Sequence, residues 1–524
     1  MRATVTTKGA GCDPLQVLPY ELYANIFSRL PFVDRVRCSR VSKRWRAFIY
    51  NWPDMAETIV MGPRHFWPRP GANSIFDHGC GHWLSTVIQP NTVRYFSIET
   101  DYRQLSAIVD ILRRKQYTRL KTLILHHISS NPVAIRSESF LDIVLATSAY
   151  LEKLELRGVG VPMDRKAWRT IFSQCQRLTH LSLSAWPARN ANAPLDLHPD
   201  DLPAELSLRH LHWNINTDFP YSVLLPKCPD LRYLSVGIRG LDITGLIPVL
   251  LRSTQTLQCL QLAQVEEPDI QWDDQEGAVG LKRLVVKSAD VPSDLVASLI
   301  IAYQRTLSEL VLHLTSEAHA HVCDRLADEL LGPLRLECFD YRVLDRHPQQ
   351  HYLYPLIDRC PRLRHLKING FHCDERRLVH SLTCLPRLES FEASSLGHSP
   401  DECSKADVSA SLPHLKKCEF RSAHPLGDYF FSHIKHLQSL QVFRASILYQ
   451  VTDAGLSAFM AEAPHLKDVY LSNIKGLRDP TSMVRDRKTP MKLTLFDCPK
   501  ITGKRLNKLR SKQNIELWTD LDLC

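Results

Sequence analysis

One line of sequence recurs from about residue 93 almost to residue 524: an apolar residue at i, i+3 and i+5, returning roughly every 26 residues. Leu151-Glu-Lys-Leu154-Glu-Leu156, Leu178-Thr-His-Leu181-Ser-Leu183 and Leu363-Arg-His-Leu366-Lys-Ile368 are clear copies. Others open at Val93, Leu120, Leu208, Leu231, Leu257, Leu281, Leu307, Leu336, Leu388, Leu415, Leu437 and Leu466. Weaker copies end in Leu493-Thr-Leu495 and Ile515-Glu-Leu517. Such a period belongs to solenoids, in which each repeat is one supersecondary unit that buries its apolar face only against its neighbours. The expected array has about 17 degenerate units over residues 93–524. Function is then expected on a surface, not in a pocket.

Before several strands stands a helix end with cysteine or alanine followed by proline: Cys228-Pro229, Cys360-Pro361, Ala463-Pro464. Proline breaks the helix and the next leucine enters the strand, so helix and strand alternate. The expected fold class is α/β, with consecutive strands stacked in parallel along the inner face of a horseshoe and helices outside. Alternation along L-x-x-L-x-L sends i+3 and i+5 inward and leaves i+2 and i+4 on the open face.

Composition excludes more than it selects. Hydrophobic content of 44% and charged content of 23% suit a soluble globular protein. No apolar run approaches the roughly 18–20 residues of a membrane span, and Met1–Cys12 has no signal-like apolar core. Fifteen cysteines without paired spacing fit reduced thiols, hence cytoplasm and/or nucleus. The net charge of +9 reads as spread thinly, a weak hint of acidic partners or nucleic acid that many neutral binders share.

Residues 14–60 differ from the rest. Leu18-Pro19 opens a helix in which Leu22, Ile26 and Leu30 form one apolar stripe beside Phe27. Pro31 stops it, and Asp34 is placed to cap the next segment, Arg35 onward, which carries Val36, Val41, Trp45, Phe48 and Ile49 in a unit of two or three short helices. About 45 residues cannot bury that many large side chains alone, so the apolar face needs a partner.

Leu18-Pro-x-Glu-Leu22, Ile26-Phe27, Leu30-Pro31, Val41-Ser-Lys-Arg-Trp45-Arg and the closing Trp52 resemble an F-box in order and spacing. Val451-Thr-Asp-Ala-Gly-Leu456 and Leu495-Phe-Asp-Cys-Pro-Lys-Ile-Thr-Gly503 resemble the cysteine-containing leucine-rich repeats of F-box proteins, in which a residue such as Cys498 is a small buried group of the turn. Phe32-Val-Asp-Arg35-Val36 departs from the leucine-rich run common in the family. The resemblance implies an N-terminal all-α F-box followed by a leucine-rich-repeat solenoid, in a non-catalytic substrate-recognition subunit of an SCF-type ubiquitin ligase. Leu18, Pro19, Leu22, Ile26, Leu30, Val41 and Trp45 would dock on, or support docking on, a Skp-type adaptor, and through it cullin and a RING subunit. The bland alternative for this module is a helical cap sealing the first repeat. For the whole chain the alternatives are a non-ligase interaction scaffold, then a nucleic-acid binder.

Remaining segments are expected to be a disordered N-terminus (1–13) and a connector or degenerate first repeat (61–92). Candidate substrate-facing residues, at i+2, i+4 or just beyond, are His210, His212, Tyr233, Arg283, Lys287, His365, Lys367, Lys417 and Tyr470. A modest basic bias from Arg283 to Arg421 admits a phosphate reader; ordinary solvated strand faces would look the same. No phosphate loop, dinucleotide fingerprint, C-x-x-C pair or nucleophile elbow occurs. His78-Gly-Cys80-Gly-His82 and the group His372, Cys373, His380 and Cys384 lack a known ligand spacing. Neither a cofactor nor a metal is expected.

Overall fold

The computed structural model describes residues 13–62, 83–100, 102–128, 133–161, 165–184, 197–214, 220–237, 245–246, 248–250, 256–263, 280–330, 332–345, 353–370, 372–398, 408–485, 487 and 489–519. The chain forms two compact units, Met1–Leu241 with Pro248–Gln255, and Asp242–Ile247 with Thr256–Cys524.

In the first unit four helices precede the strands: α1 (Pro14–Val17), α2 (Tyr20–Ser28), α3 (Phe32–Cys38) and α4 (Lys43–Asn51). Pro19 and Pro31 stand at the N-caps of α2 and α3, with φ near the value proline imposes. Asp34 therefore lies inside the first turn of α3 instead of capping it, and pairs with Arg37 one turn on at 2.8 Å. The Ser42 side chain accepts from the Trp45 N–H and caps α4. Phe27, Phe32, Val33, Val36, Ile49 and Trp52 fill the small core, Trp52 stacked on Phe48 at 5.8 Å.

A ladder of parallel strands follows: Thr58–Met61, Tyr95–Thr100, Thr122–His127, Lys153–Arg157, His180–Ser184, His210–Asn214 and Tyr233–Gly237. It begins earlier than residue 93. The first strand rests on Ala56, Ile59 and Met61, a copy of the repeat line with no leucine, and pairs with Tyr95–Thr100. Residues 58–61 thus belong to the repeats, not to the helical module or a connector.

The second unit holds a ladder of the same kind, from Cys259–Ala263 and Arg283–Lys287 through to Met491–Phe496 and Ile515–Thr519. From Val93 to Leu415, and again at Leu466, each strand starts two residues after its opening apolar residue, as at Leu151/Lys153 and Leu363/His365. Leu437 is the exception. Leu440, Phe443 and Ala445, all fully buried, set the register of Val442–Ser446. Leu437-Gln-Ser-Leu440-Gln-Val442 satisfies the pattern too, but three residues early. Between strands run helices such as Ser137–Thr147, Ser316–Glu329, Glu375–Thr383 and Asp453–Ala461. These alternating elements are those of a leucine-rich-repeat solenoid.

Two devices join neighbouring repeats, and a third seals the helix ends. The residue seven after the opening apolar one is left-handed at Gly158, Gly370, Ser395, Ser422, Ile447, Asn473 and Asp497. At Gly158, Gly370, Ile447 and Asn473 its N–H donates to a strand carbonyl of the next repeat, Ser184, Ser394, Ser472 and Phe496. Acids at helix starts reach the backbone of later repeats: Asp453 accepts from the N–H groups of Arg478 and Asp479, in the next repeat, at 2.8–2.9 Å, and Glu375 from that of Gly427, two repeats on. Cys228, Cys360 and Ala463, before the prolines, are wholly buried, and the two thiols donate to carbonyls one turn back.

Gly476 sits where no side chain fits. A Cβ there would lie 1.9 Å from the Val451 carbonyl oxygen, a backbone atom that cannot swing aside. Gly476→Ala is expected to cost about 1–3 kcal/mol. Urea denaturation should show a lowered midpoint with an unchanged slope.

Candidate adaptor face and repeat surfaces

The stripe read as Leu22, Ile26 and Leu30 does not form the core of the helical module. Phe27 and Tyr23 turn inward against Phe48, whereas Leu22 is 51% and Ile26 52% exposed. Pro19, Tyr20 and Val41 are exposed as well; Leu18, Leu30 and Trp45 are half-buried. Trp45 braces the module: its indole N–H donates to Asp13 Oδ1 at 2.9 Å, and its ring meets Phe27 edge-on. Asp13 is thus fastened, while residues 1–12 lie outside the described residues. The result is an exposed apolar ridge on α2, backed by an aromatic cluster.

Arg35, the residue where the family pattern is broken, points the other way. It is 5% exposed and donates to the carbonyls of Met55 at 2.6 Å and Thr58 at 2.8 Å. Its guanidinium also lies 5.9 Å from the Trp52 ring centroid. Desolvation lowers its pKa, the signature of a charge drawn into the protein. Arg35 therefore ties the helical module to the first repeat strand. In the sequence its only mark was that departure.

On the strand faces the candidates divide. In the first unit the rings of His180 and His210 stack at 5.3 Å, and those of His210 and Tyr233 at 3.9 Å. Tyr233 (8% exposed) and His212 (6%) are buried, contrary to the expected open positions. Large rings in adjacent parallel strands close over one another because strands stand only about 4.8 Å apart. Burial, then the neighbouring cations and histidines, pushes His210 down to about 3; burial, then Arg157, does the same to His212. Both are neutral rings near neutral pH.

In the second unit His365 and Lys367 are exposed, and Arg283, Lys287, Lys417 and Tyr470 are half-buried. The basic bias is cancelled locally. Arg283 pairs with Glu309 at 3.1 Å, Lys367 with Asp340 at 3.5 Å, and Lys417 with Glu392 at 2.7 Å and Glu419 at 3.4 Å. Glu419 is itself buried and also holds Arg421 and Arg444. Glu155 in the first unit, equally buried, sits between Lys153 and Arg157. A shallow cavity of about 300 Å³ opens among Glu309, Asp340, His365, Lys367 and Glu392. Its cations face carboxylates already in place, which does not favour phosphate.

Among the described residues no three His, Cys, Asp or Glu side chains are grouped to hold a metal. Cys373 is buried with its sulfur 3.7 Å from the Tyr354 hydroxyl, and residues 78–82 lie outside the described residues. Cys498 is half-buried, its thiol near the Leu471 and Phe496 carbonyls.

Residues 15–53 match the F-box domain, so the chain carries an F-box. No curated protein sequence matches it. Among solved structures, the crystal structure of the Rad7 and Elc1 complex in yeast is 13% identical, with a TM-score of 0.29, covering 84% of this chain and 93% of that one. The TLR13–ssRNA13 complex is 14% identical with a TM-score of 0.43, covering 82% of this chain and 55% of that one. The chain thus joins an F-box to parallel strands and helices in leucine-rich-repeat units.

Proposed function

We propose that this chain is the substrate-recognition subunit of an SCF-type ubiquitin ligase. The F-box binds a Skp-type adaptor that brings cullin and a RING subunit, and the repeat surface holds a target protein for ubiquitination and degradation. The carrying observation is the exposed Leu22–Ile26 ridge on a domain matched as an F-box. Leu22 and Ile26, one helical turn apart, are large apolar side chains about half exposed, and burying that remainder of each against a partner contributes about 1 kcal/mol. Catalysis in such an assembly is proximity: the chain holds target lysines near a ubiquitin-loaded enzyme and supplies no reacting group. The described cysteines are free thiols, consistent with work in the cytoplasm or nucleus.

Co-purification tests this. Wild type should recover adaptor and cullin, while Leu22→Asp with Ile26→Asp should weaken adaptor binding at least about tenfold, in line with the apolar burial lost. Since both positions face water, the variant should melt with the wild type. Failure of the folded wild type to recover an adaptor would overturn the ligase reading; an adaptor without cullin would reduce the chain to an interaction scaffold.

A further inference from the structure

The net charge of this protein is not spread along it. Residues 475–512 hold twelve lysines and arginines against three aspartates, a surplus of nine. That surplus equals the net charge of the whole chain, so the rest carries as many acids as bases. The contrast with the preceding repeats is structural as well. There most cations of the strand face have a carboxylate beside them, as at Arg283–Glu309, Lys367–Asp340 and Lys417–Glu392.

In residues 475–512 the cations are placed by other means. Arg505 donates to the Arg478 carbonyl, and Lys512 to the carbonyls of Val484 and Arg485, so the two repeats are strapped together with their positive charges adjacent. Lys475 lies over the Tyr449 ring at 4.3 Å and Lys492 over Trp518 at 5.1 Å. Arg478, Arg485, Lys500, Lys504 and Lys508 are exposed, and among the described residues none of them stands in an ion pair. Asp479, the acid near Arg505 and Lys508, is already occupied. The Thr481 hydroxyl and N–H donate to it, and those bonds, ahead of the two cations, hold its carboxyl below the usual range. Like charges brought together without counter-charges repel, and an anionic partner relieves that repulsion.

We propose that the described residues of 475–512 form a docking surface for an acidic segment of the protein captured by the repeats, a run of aspartate and glutamate side chains. This rests on the ligase reading, in which the cargo is a protein. Charge complementarity selects an anion. The even scatter of single cations over helix Gly503–Arg510, its flanking turns and the Lys492 strand suits an extended polypeptide with carboxylates at short intervals.

The test uses the full-length chain co-purified with its adaptor and a fluorescent peptide carrying ten consecutive glutamates, read by anisotropy. The expected result is binding that weakens steeply as salt rises. Lys504→Glu with Lys508→Glu should weaken it roughly tenfold, and Lys504→Gln with Lys508→Gln by less. Arg387→Glu, an exposed reversal elsewhere in the same unit, should leave it unchanged. Equal peptide binding by wild type and the glutamate variant would overturn the proposal. So would displacement of the peptide by single-stranded DNA of equal charge at far lower concentration, which would assign the surface to nucleic acid. Adaptor recovery, measured on the same preparations, reports separately on the ligase reading.

Discussion

Replacing Arg35 by alanine is expected to lower the unfolding free energy of the first unit by about 3 kcal/mol or more, the cost of stranding buried partners of a charged donor. Two carbonyls, Met55 and Thr58, would lose their donor at the junction between α3 and the first repeat strand. The Trp52 ring would lose the cation beside it. Arg35→Lys should recover little, because one ammonium on a flexible stem cannot reproduce two fixed donors aimed at separate carbonyls. Arg35→Met keeps the packing of the stem without the charge, and should fall between wild type and alanine. Urea unfolding followed by circular dichroism and by tryptophan fluorescence checks the series. If the alanine and lysine variants both melt with the wild type, the guanidinium is not what joins the module to the repeats.

The lesson of Arg35 is general for this chain. Apolar periodicity was legible because a repeat needs the same buried positions each time. From Val93 to Leu415, and at Leu466, the strands begin where that pattern places them. It failed where packing is met by other residues, as at Ala56, Ile59 and Met61, or where two overlapping registers fit, as at Leu437 and Leu440. The exposed apolar ridge was legible in part: the motif named Leu22 and Ile26, but a stripe at helical spacing looks alike whether it is core or exposed. Pair chemistry was not legible. Whether Lys417 is free depends on Glu392, in the preceding strand, and on Glu419 beside it, and whether Tyr233 is open depends on the His210 ring in the neighbouring strand. Alternation gives the face of a side chain, not what its neighbours do to it.

Those neighbours give the first unit an acid weakness. His210 and His212 have folded-state pKa values of about 3, against an unperturbed 6.5, because burial disfavours the charged rings. A depressed histidine pKa means that the unfolded chain binds protons the folded chain refuses. Stability is therefore fully present above pH 6.5 and is lost as pH falls through the window from 6.5 to about 3. Each such histidine contributes a slope of up to about 1.4 kcal/mol per pH unit, so the pair could remove several kcal/mol by pH 4.5. Glu309, whose carboxyl is raised by burial, acts in the opposite sense but belongs to the second unit. His210→Phe keeps a ring between His180 and Tyr233 and removes one titrating site. Against wild type, its unfolding free energy should fall less steeply between pH 6.5 and 4.5, by close to one proton's worth of slope. Parallel pH profiles for the two proteins would mean that His210 is protonated in the fold as readily as in the unfolded chain, and that its stack with Tyr233 is open to water.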